Sequence, residues 1–311
     1  MNVTLWSETF AHFPAVAAAF MLIMSVPGCL GNWLILFLLF KDQELRSDGV
    51  YKWYLFNLAC TDLIVAGHFL LQAYFILFNP QNQAVLCYLV AAIMVAGTPA
   101  ITWALLPIMI NRLVSLYWAN YYDYIFSVRN VFLSCIFFTF LLPVAYIVPI
   151  GSMGALGKAP FVCSITIEAR NHPQYQIVFG TLSYTLIMAN LLIFCTGLAV
   201  NRKVKEGEKL QISLQQRKEL QKTRAVAKAT FLQAMAPLII QMPGILLWVY
   251  LENQYPKGEH SSVGLDLLVF TGITCSPLID SVCTLYIIKP FRRALKRLLD
   301  RIFSSNIVHN I

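Results

Sequence analysis

Two acidic side chains interrupt long apolar stretches of the chain. Asp62 lies in NLACTDLIVA, Asp280 lies in SPLIDSVCTLY, and Asn32 lies at a similar depth in PGCLGNWLILFLL. Two carboxylates that share a proton could act as a protease dyad, whereas polar groups retained inside a membrane often form a switch or fix helix packing. No Gly-x-Gly-Asp segment surrounds either aspartate. We therefore expect an interhelical network of Asn32, Asp62 and Asp280, with or without a bound cation, and no catalysis.

A thiol and a guanidinium lie at the two ends of another apolar stretch. Cys87 and Arg112 are separated by twenty-five residues in CYLVAAIMVAGTPAITWALLPIMINRLVSLYW. A helix of that length rises about 37 Å at 1.5 Å per residue, more than the roughly 30 Å thickness of a bilayer core. The two side chains are therefore predicted to lie on opposite faces of a membrane, with Cys87 in the oxidising compartment and Arg112 in the cytoplasm.

The elements that position these residues are membrane spans. The chain is 58% hydrophobic and 12% charged, with a mean hydropathy of +0.65, which excludes a soluble domain. It contains seven apolar runs, each long enough to cross a bilayer, at residues 13 to 40, 51 to 78, 84 to 117, 128 to 150, 176 to 201, 225 to 251 and 262 to 288. We predict an all-α membrane protein, a seven-transmembrane helix bundle.

The distribution of basic residues predicts the orientation of the bundle. With the N-terminus outside, only Lys158, Arg170 and Lys257 of the 23 Lys and Arg residues lie on the outer side, as the positive-inside rule requires. The short N-terminal segment 1–12 then carries a glycosylation sequon at Asn2 on the outer side. Six cysteines lie deeper inside apolar runs, which leaves Cys87 and Cys163 as the two at the outer rim, so these two are predicted to pair by elimination; two free thiols are the alternative.

The chain beyond the receptor domain 13–288 is predicted to form a cytoplasmic helix and tail, 289–311. In KPFRRALKRLLDRIF apolar residues recur at helical spacing opposite basic ones, which is typical of an amphipathic helix lying on the inner leaflet. The connection from Asn201 to Arg224 is rich in Lys, Gln and Glu, and we expect it to extend the fifth and sixth spans as helices into the cytosol. Pro243, followed by Gly244, is the strongest candidate for a hinge, with rigid kinked packing as the alternative.

Several of these features together resemble the rhodopsin-like G-protein-coupled receptors. They are Cys87 with Arg112 at its fixed spacing, Gly31-Asn32, Leu58-Ala59-x-x-Asp62 and the proline-kinked sixth span, and the resemblance covers residues from about 25 to 300. Asn111-Arg112-Leu113 stands where the family has Asp-Arg-Tyr. Asp280-Ser281-x-x-Thr284 stands where it has Asn-Pro-x-x-Tyr.

The departures from the family pattern are also informative. Asn111 removes the acidic partner of Arg112, Ser281 removes the proline of the seventh span, and Gln241 replaces the tryptophan two residues before Pro243. Such loosened motifs look like those of the nematode serpentine chemoreceptors. That resemblance implies a chemosensory receptor in the cell membrane. In a sensory neuron, this would be the ciliary membrane.

The resemblance implies two sets of site residues. Residues for G-protein coupling and switching are Asn32, Asp62, Asn111, Arg112, Pro243, Asp280 and Thr284. A small-molecule pocket would draw on His68, Gln72, Met94, Gln241, Trp248 and Asp266. Because Met94 stands where amine receptors have Asp, a mostly apolar small molecule is expected as the ligand.

Other classes of membrane protein fit less well. A transporter or channel would show paired broken helices and charges along a path, whereas seven spans do not divide into halves. A retinal protein needs a lysine within the seventh span, and the nearest one, Lys289, follows that span. A receptor for a peptide ligand stays open. The partners expected are a heterotrimeric G protein, a small molecule and the lipid bilayer, without nucleic acid, metal, cofactor or enzymatic activity.

Overall fold

The computed structural model describes most of the chain outside the sixth run. It covers residues 13–46, 49–78, 83–158, 163–165, 173–209 and 273–308, together with the single positions 224, 228, 229, 231, 232, 235, 239 and 246. The predictions for Asn2, Gln241, Pro243, Trp248 and Asp266 therefore lie outside the described residues.

Long helices form where apolar runs were predicted. The helices are α1 Phe13–Lys41, α2 Gln43–Arg46, α3 Tyr51–Phe78, α4 Ala84–Tyr117, α5 Tyr122–Ile125, α6 Val128–Ile136, α7 Leu142–Ser152, α8 Pro173–Lys209, α9 Ser276–Ile287 and α10 Lys289–Val308. A 3₁₀ turn, Ala119–Tyr121, precedes α5, and a π-helical turn, Phe137–Leu141, joins α6 to α7. Five helices in the described part of the chain are long and apolar enough to cross a membrane, the fourth being the continuous segment Val128–Ser152.

Helix α4 lies at the centre of the bundle. It packs against α3, α7 and α8, and on both strands of a small hairpin. Its side chains from Ala100 to Met109 are all buried, whereas the neighbouring helices leave large apolar side chains such as Leu30 and Tyr184 exposed on their outer surfaces. Exposed apolar faces around a buried central helix suit a lipid environment. The span that carries both Cys87 and Arg112 is therefore the central one.

The π-helical turn in the fourth span has a local cause. Pro143 has no backbone N–H, so the carbonyl of Thr139 loses its usual helical partner four residues later. The widened turn includes Thr139, whose Oγ1 accepts a 2.7 Å hydrogen bond from Asn57 Nδ2 on α3. A proline and a side-chain bond to the neighbouring span thus fix this break.

Helices α1 and α9 cross at very short range through glycine. A Cβ atom added to Gly31 would lie 2.5 Å from Ser281 Oγ and 2.7 Å from Ser281 Cβ. At Gly28, the same addition would lie 3.3 Å from the backbone nitrogen of Leu278. Small residues one helical turn apart on α1 therefore allow the first and last spans to approach closely.

The Cys87 end of α4, named here the disulfide end, is covered by a hairpin. Strands β1 Leu156–Lys158 and β2 Cys163–Ile165 pair antiparallel, with Lys158 opposite Cys163. Cys163 is bonded to Cys87, with their Cα atoms 5.1 Å apart, which confirms the predicted pairing. The opposite end of α4 is named the Arg112 end.

Candidate functional site

The guanidinium of Arg112 lies inside the bundle at the end of the central helix. Arg112 is only 8% exposed, and its Cζ atom lies 3.9 Å from the ring centroid of Tyr51 at the start of α3. Among the described residues, no acceptor hydrogen-bonds its Nε or Nη2, and no acidic group forms an ion pair with it. An aromatic face takes the place at which a carboxylate would usually be expected.

The neighbouring Asn111 connects the central helix to the loop that follows it. Asn111 is fully buried, and its Nδ2 donates a 3.1 Å hydrogen bond to the Tyr122 hydroxyl on α5. Within the described part of the chain, its Oδ1 has no partner. The neutral amide thus holds the short helix α5 against α4 while leaving an acceptor unused.

The three polar residues predicted at mid-depth lie on adjacent helices. Asn32 Nδ2 donates to the Pro277 carbonyl at 2.9 Å and to the Gly28 carbonyl at 3.0 Å. Asp62 and Asp280 are both fully buried and lie close enough for their charges to interact. Thr284, one turn after Asp280, is also buried. The structure therefore brings Asn32 to the first turn of α9 and Asp62 close to Asp280 across α3 and α9.

Helix α9 begins anew inside the seventh apolar run. The chain turns at Cys275, and Pro277 occupies the first turn of the helix that starts at Ser276. A proline is tolerated at this position because the N–H groups of the first helical turn have no acceptor within the helix. Ser281 stands where the family has proline, and its Oγ donates to the Leu278 carbonyl at 2.9 Å. The break in the seventh span thus lies before Asp280 rather than after it.

The Arg112 end is closed by an ion-pair cluster between α10 and the first connection. Arg297 donates to Asp42 Oδ2 through Nε at 3.1 Å and Nη2 at 2.8 Å, and Nη2 also donates to Glu44 Oε2 at 3.1 Å. Arg293 donates to the other oxygen of Glu44. Phe291 of α10 is buried in the bundle core. The helix predicted after the seventh span is therefore present as α10, and these protein contacts attach it to the bundle.

Asp42 serves two neighbours at once. Its Oδ1 accepts from the backbone N–H groups of Glu44 and Leu45 and so caps α2. Burial alone would raise the pKa of the Asp42 carboxyl, but the hydrogen bonds from Arg297, Leu45 and Glu44 outweigh burial and hold that pKa below its ordinary value. The hydrogen bond to Asp42 in turn raises the pKa of Arg297. Both groups are thus charged at neutral pH.

Three of the predicted pocket residues are described, and all lie toward the disulfide end. The Gln72 amide pairs with both backbone groups of Cys163, donating to its carbonyl and accepting from its N–H at 3.0 Å. His68 is buried beside the ring of Phe69, with the backbone of Val90 alongside. Met94 is half-buried and packs against two of the apolar clusters. Gln72 is therefore committed to anchoring β2.

Tyr51 and Tyr122 are the two site residues that sequence reasoning missed. Tyr51 begins an apolar run and Tyr122 lies in a connection between two runs, and tyrosines near membrane interfaces are common as anchors, so residue type alone gives no signal. Their spacing from Asp62 and Arg112 could have indicated the correct end of the bundle. Only the folded structure places the Tyr51 ring over the guanidinium.

Comparison with known proteins agrees with this arrangement. Residues 31–276 match the family described as "7 transmembrane receptor (rhodopsin family)". The chain is 25% identical over 208 residues to the melatonin receptor type 1B-B of Danio rerio, covering 64% of this chain and 58% of that receptor. It is 26% identical over 261 residues to the melatonin receptor type 1A of Mus musculus, covering 78% and 72%.

The family match covers well over half of the chain and includes α3, α4 and α8 in full. The central helix, its disulfide and the break in the seventh span all lie within the matched residues or at their edge. Proteins of this family are receptors and not enzymes. The chain belongs to the rhodopsin family of seven-transmembrane receptors.

Proposed function

We propose that this receptor binds a small molecule at the disulfide end and activates a heterotrimeric G protein at the Arg112 end, which faces the cytoplasm. One observation carries the proposal: a guanidinium is buried at the end of the central helix without an acidic partner among the described residues. A buried cation held by a ring can be exposed by a modest helix displacement, whereas one in a buried ion pair requires more work.

The activating movement is an outward swing of the sixth span that bends near Pro243. This movement would open a cavity in which Arg112 and the basic third inner connection meet the G protein. The sixth span would move against the fifth span, which is α8. This helix continues to Lys209, eight residues beyond the predicted end of the fifth span. At the interface of the two spans, Phe231 packs 5.6 Å from Phe194 and over Gly197.

The ligand is a small, mostly apolar molecule with a few hydrogen-bonding groups. Position 94 holds a methionine rather than an acidic residue, which disfavours an amine ligand. Both relatives are named as melatonin receptors. We also propose a chemosensory role, a subfamily like the nematode serpentine chemoreceptors and a location in the ciliary membrane of sensory neurons. We propose His68 and Met94 as the described residues that contact this ligand, and a peptide ligand is the alternative.

The first prediction tests coupling through Arg112. Arg112→Ala should reduce G-protein activation at least a hundredfold, because the variant lacks the cation that meets the G protein when the helices separate. Guanine-nucleotide exchange on purified G protein, normalised to surface expression, measures the effect. Candidate small molecules, melatonin among them, serve as ligands, and ligand-independent exchange serves as the baseline.

Arg301→Ala is the matched control, since it removes an exposed guanidinium from α10 and should leave exchange within twofold. Normal activation by a correctly delivered Arg112→Ala variant would remove this residue from the mechanism. Equal loss in both variants would indicate a general effect of basic charge rather than a role for Arg112.

A further inference from the structure

The contact between Tyr51 and Arg112 joins the second and third spans at the Arg112 end. Tyr51 is 4% exposed and lies in the first turn of α3, and Arg112 lies in the last two turns of α4. The 3.9 Å between Cζ and the ring centroid is well inside the roughly 6 Å range of a cation–π contact. Both groups are removed from water, which strengthens the attraction between a cation and an aromatic face.

A buried guanidinium needs compensation for the loss of its hydration. In the described part of the chain, Arg112 has neither an ion pair nor a hydrogen bond at Nε and Nη2. The adjacent Asn111 carries no charge, and its donor is directed to Tyr122. The Tyr51 ring, which lies directly against the guanidinium, is therefore a group whose electrostatics favour the cation in this place.

We propose that Tyr51 is a positioning residue that holds Arg112 inside the bundle in the resting state. This proposal rests on the proposed function of Arg112 and adds a residue to it. The aromatic latch, formed by Tyr51 and Arg112, replaces the carboxylate that the position of Asn111 no longer provides. Release requires only that the guanidinium slide off the ring face, with no proton transfer and no separation of opposite charges.

The latch predicts a difference between two substitutions of the same residue. Tyr51→Leu removes the ring and should raise ligand-independent nucleotide exchange at least tenfold, the effect of losing a desolvated cation–π pair. Tyr51→Phe retains the aromatic face and should therefore keep the low ligand-independent exchange rate of the parent receptor. Tyr286→Leu, which removes an exposed tyrosine from α9, controls for the change of residue type and should behave as the parent receptor.

The experiment measures exchange by each variant in nanodiscs at matched receptor amounts. A Tyr51→Leu variant with unchanged or lowered basal exchange would overturn the latch. A Tyr51→Phe variant as active as Tyr51→Leu would also overturn it, because the hydroxyl rather than the ring would then hold the resting state.

A second measurement separates the latch from the proposed function. Thermal unfolding of the Tyr51→Leu, Arg112→Met and double variants should be non-additive by several degrees, since either change alone removes the same contact. Additive shifts would refute the latch whatever the signalling data show. Non-additive shifts in a receptor whose Arg112→Ala variant signals normally would leave the contact standing and refute the coupling role of Arg112.

Discussion

At the scale of single residues, the amide of Asn111 distinguishes this receptor from the common family pattern. Its Nδ2 is occupied by Tyr122, while its Oδ1 contacts no described donor. A carboxylate in the same place would accept from Tyr122 and attract Arg112, doing with one group what Asn111 and Tyr51 do separately. In this structure, therefore, the contacts of Arg112 and Asn111 with Tyr51 and Tyr122 are made to uncharged partners.

The second residue-scale prediction restores that carboxylate. Asn111→Asp should lower ligand-independent exchange about tenfold, because hydrogen bonds and ion pairs to a buried charged group are stronger than those to an amide. Exchange in the absence of ligand, normalised to surface expression, measures the effect. Asn120→Asp places the same charge on an exposed loop residue and should change little; a rise in exchange for Asn111→Asp would contradict the expected restraint.

Residue types predicted part of this site. Arg112 was identified because its spacing from Cys87 is tied to bilayer thickness, and Asn32, Asp62 and Asp280 because polar groups in apolar runs are conspicuous. Tyr51 escaped because its role depends on where the start of α3 meets the end of α4, and a one-dimensional pattern carries no information on that crossing.

At the scale of helices, the crossing of α1 and α9 depends on the absence of a single methyl group. Gly31→Ala should destabilise the receptor by about 1 to 3 kcal/mol, because its Cβ would overlap Ser281. Thermal unfolding of the purified receptor measures the change. In the Gly31→Ala/Ser281→Gly double variant the clash disappears, so the loss should be smaller than the sum of the single losses.

Gly67→Ala is the matched control for that prediction. A Cβ at Gly67 would meet nothing within 4 Å, and alanine in a helix is favoured over glycine by roughly 0.5 to 1 kcal/mol. This variant should therefore be neutral or slightly more stable. A Gly31→Ala variant that behaves like Gly67→Ala would show that α1 and α9 can separate freely.

Helix existence was predictable, but helix irregularity was only partly so. The runs 13 to 40, 51 to 78 and 84 to 117 became helices with nearly the same bounds, because long apolar segments leave the backbone no other way to satisfy its hydrogen bonds in lipid. The π-helical turn was not predicted, since Pro143 indicates a break without indicating its form. The restart of α9 at Ser276 likewise depends on how Pro277 and Asn32 meet.

At the scale of the whole molecule, the disulfide ties the central helix to the hairpin that covers one end. Cys87→Ser or Cys163→Ser should lower surface delivery and stability, with a loss of about 2 to 4 kcal/mol. Flow cytometry of intact cells measures delivery, and peptide mapping without reduction should recover the linked peptides. Cys195→Ser removes an exposed thiol and should have no effect; free alkylation of Cys87 in delivered receptor would contradict the pairing.

The class of the molecule was the most accessible property of the sequence. Composition excluded a soluble protein, and the order of motifs indicated the receptor family that the comparison then showed. The identity of the ligand could not be predicted from the sequence, because a pocket is assembled from residues on several spans. Its selectivity depends on side-chain directions that sequence spacing does not determine.

The bonds between the two ends of the chain constrain how the protein is made in the cell. Asn32 donates a hydrogen bond to the Pro277 carbonyl, and Asp42 accepts one from Arg297. These partners follow them in the sequence by 245 and 255 residues. During synthesis both remain without these partners in an incomplete bundle until α9 and α10 have left the ribosome. A product terminated before α9 would leave Asn32 with only its hydrogen bond to the Gly28 carbonyl and Asp42 without its ion pair, and a quality-control system that senses polar side chains within the bilayer could recognise Asn32. Completion of α9 and α10 is therefore the step at which both residues gain these partners.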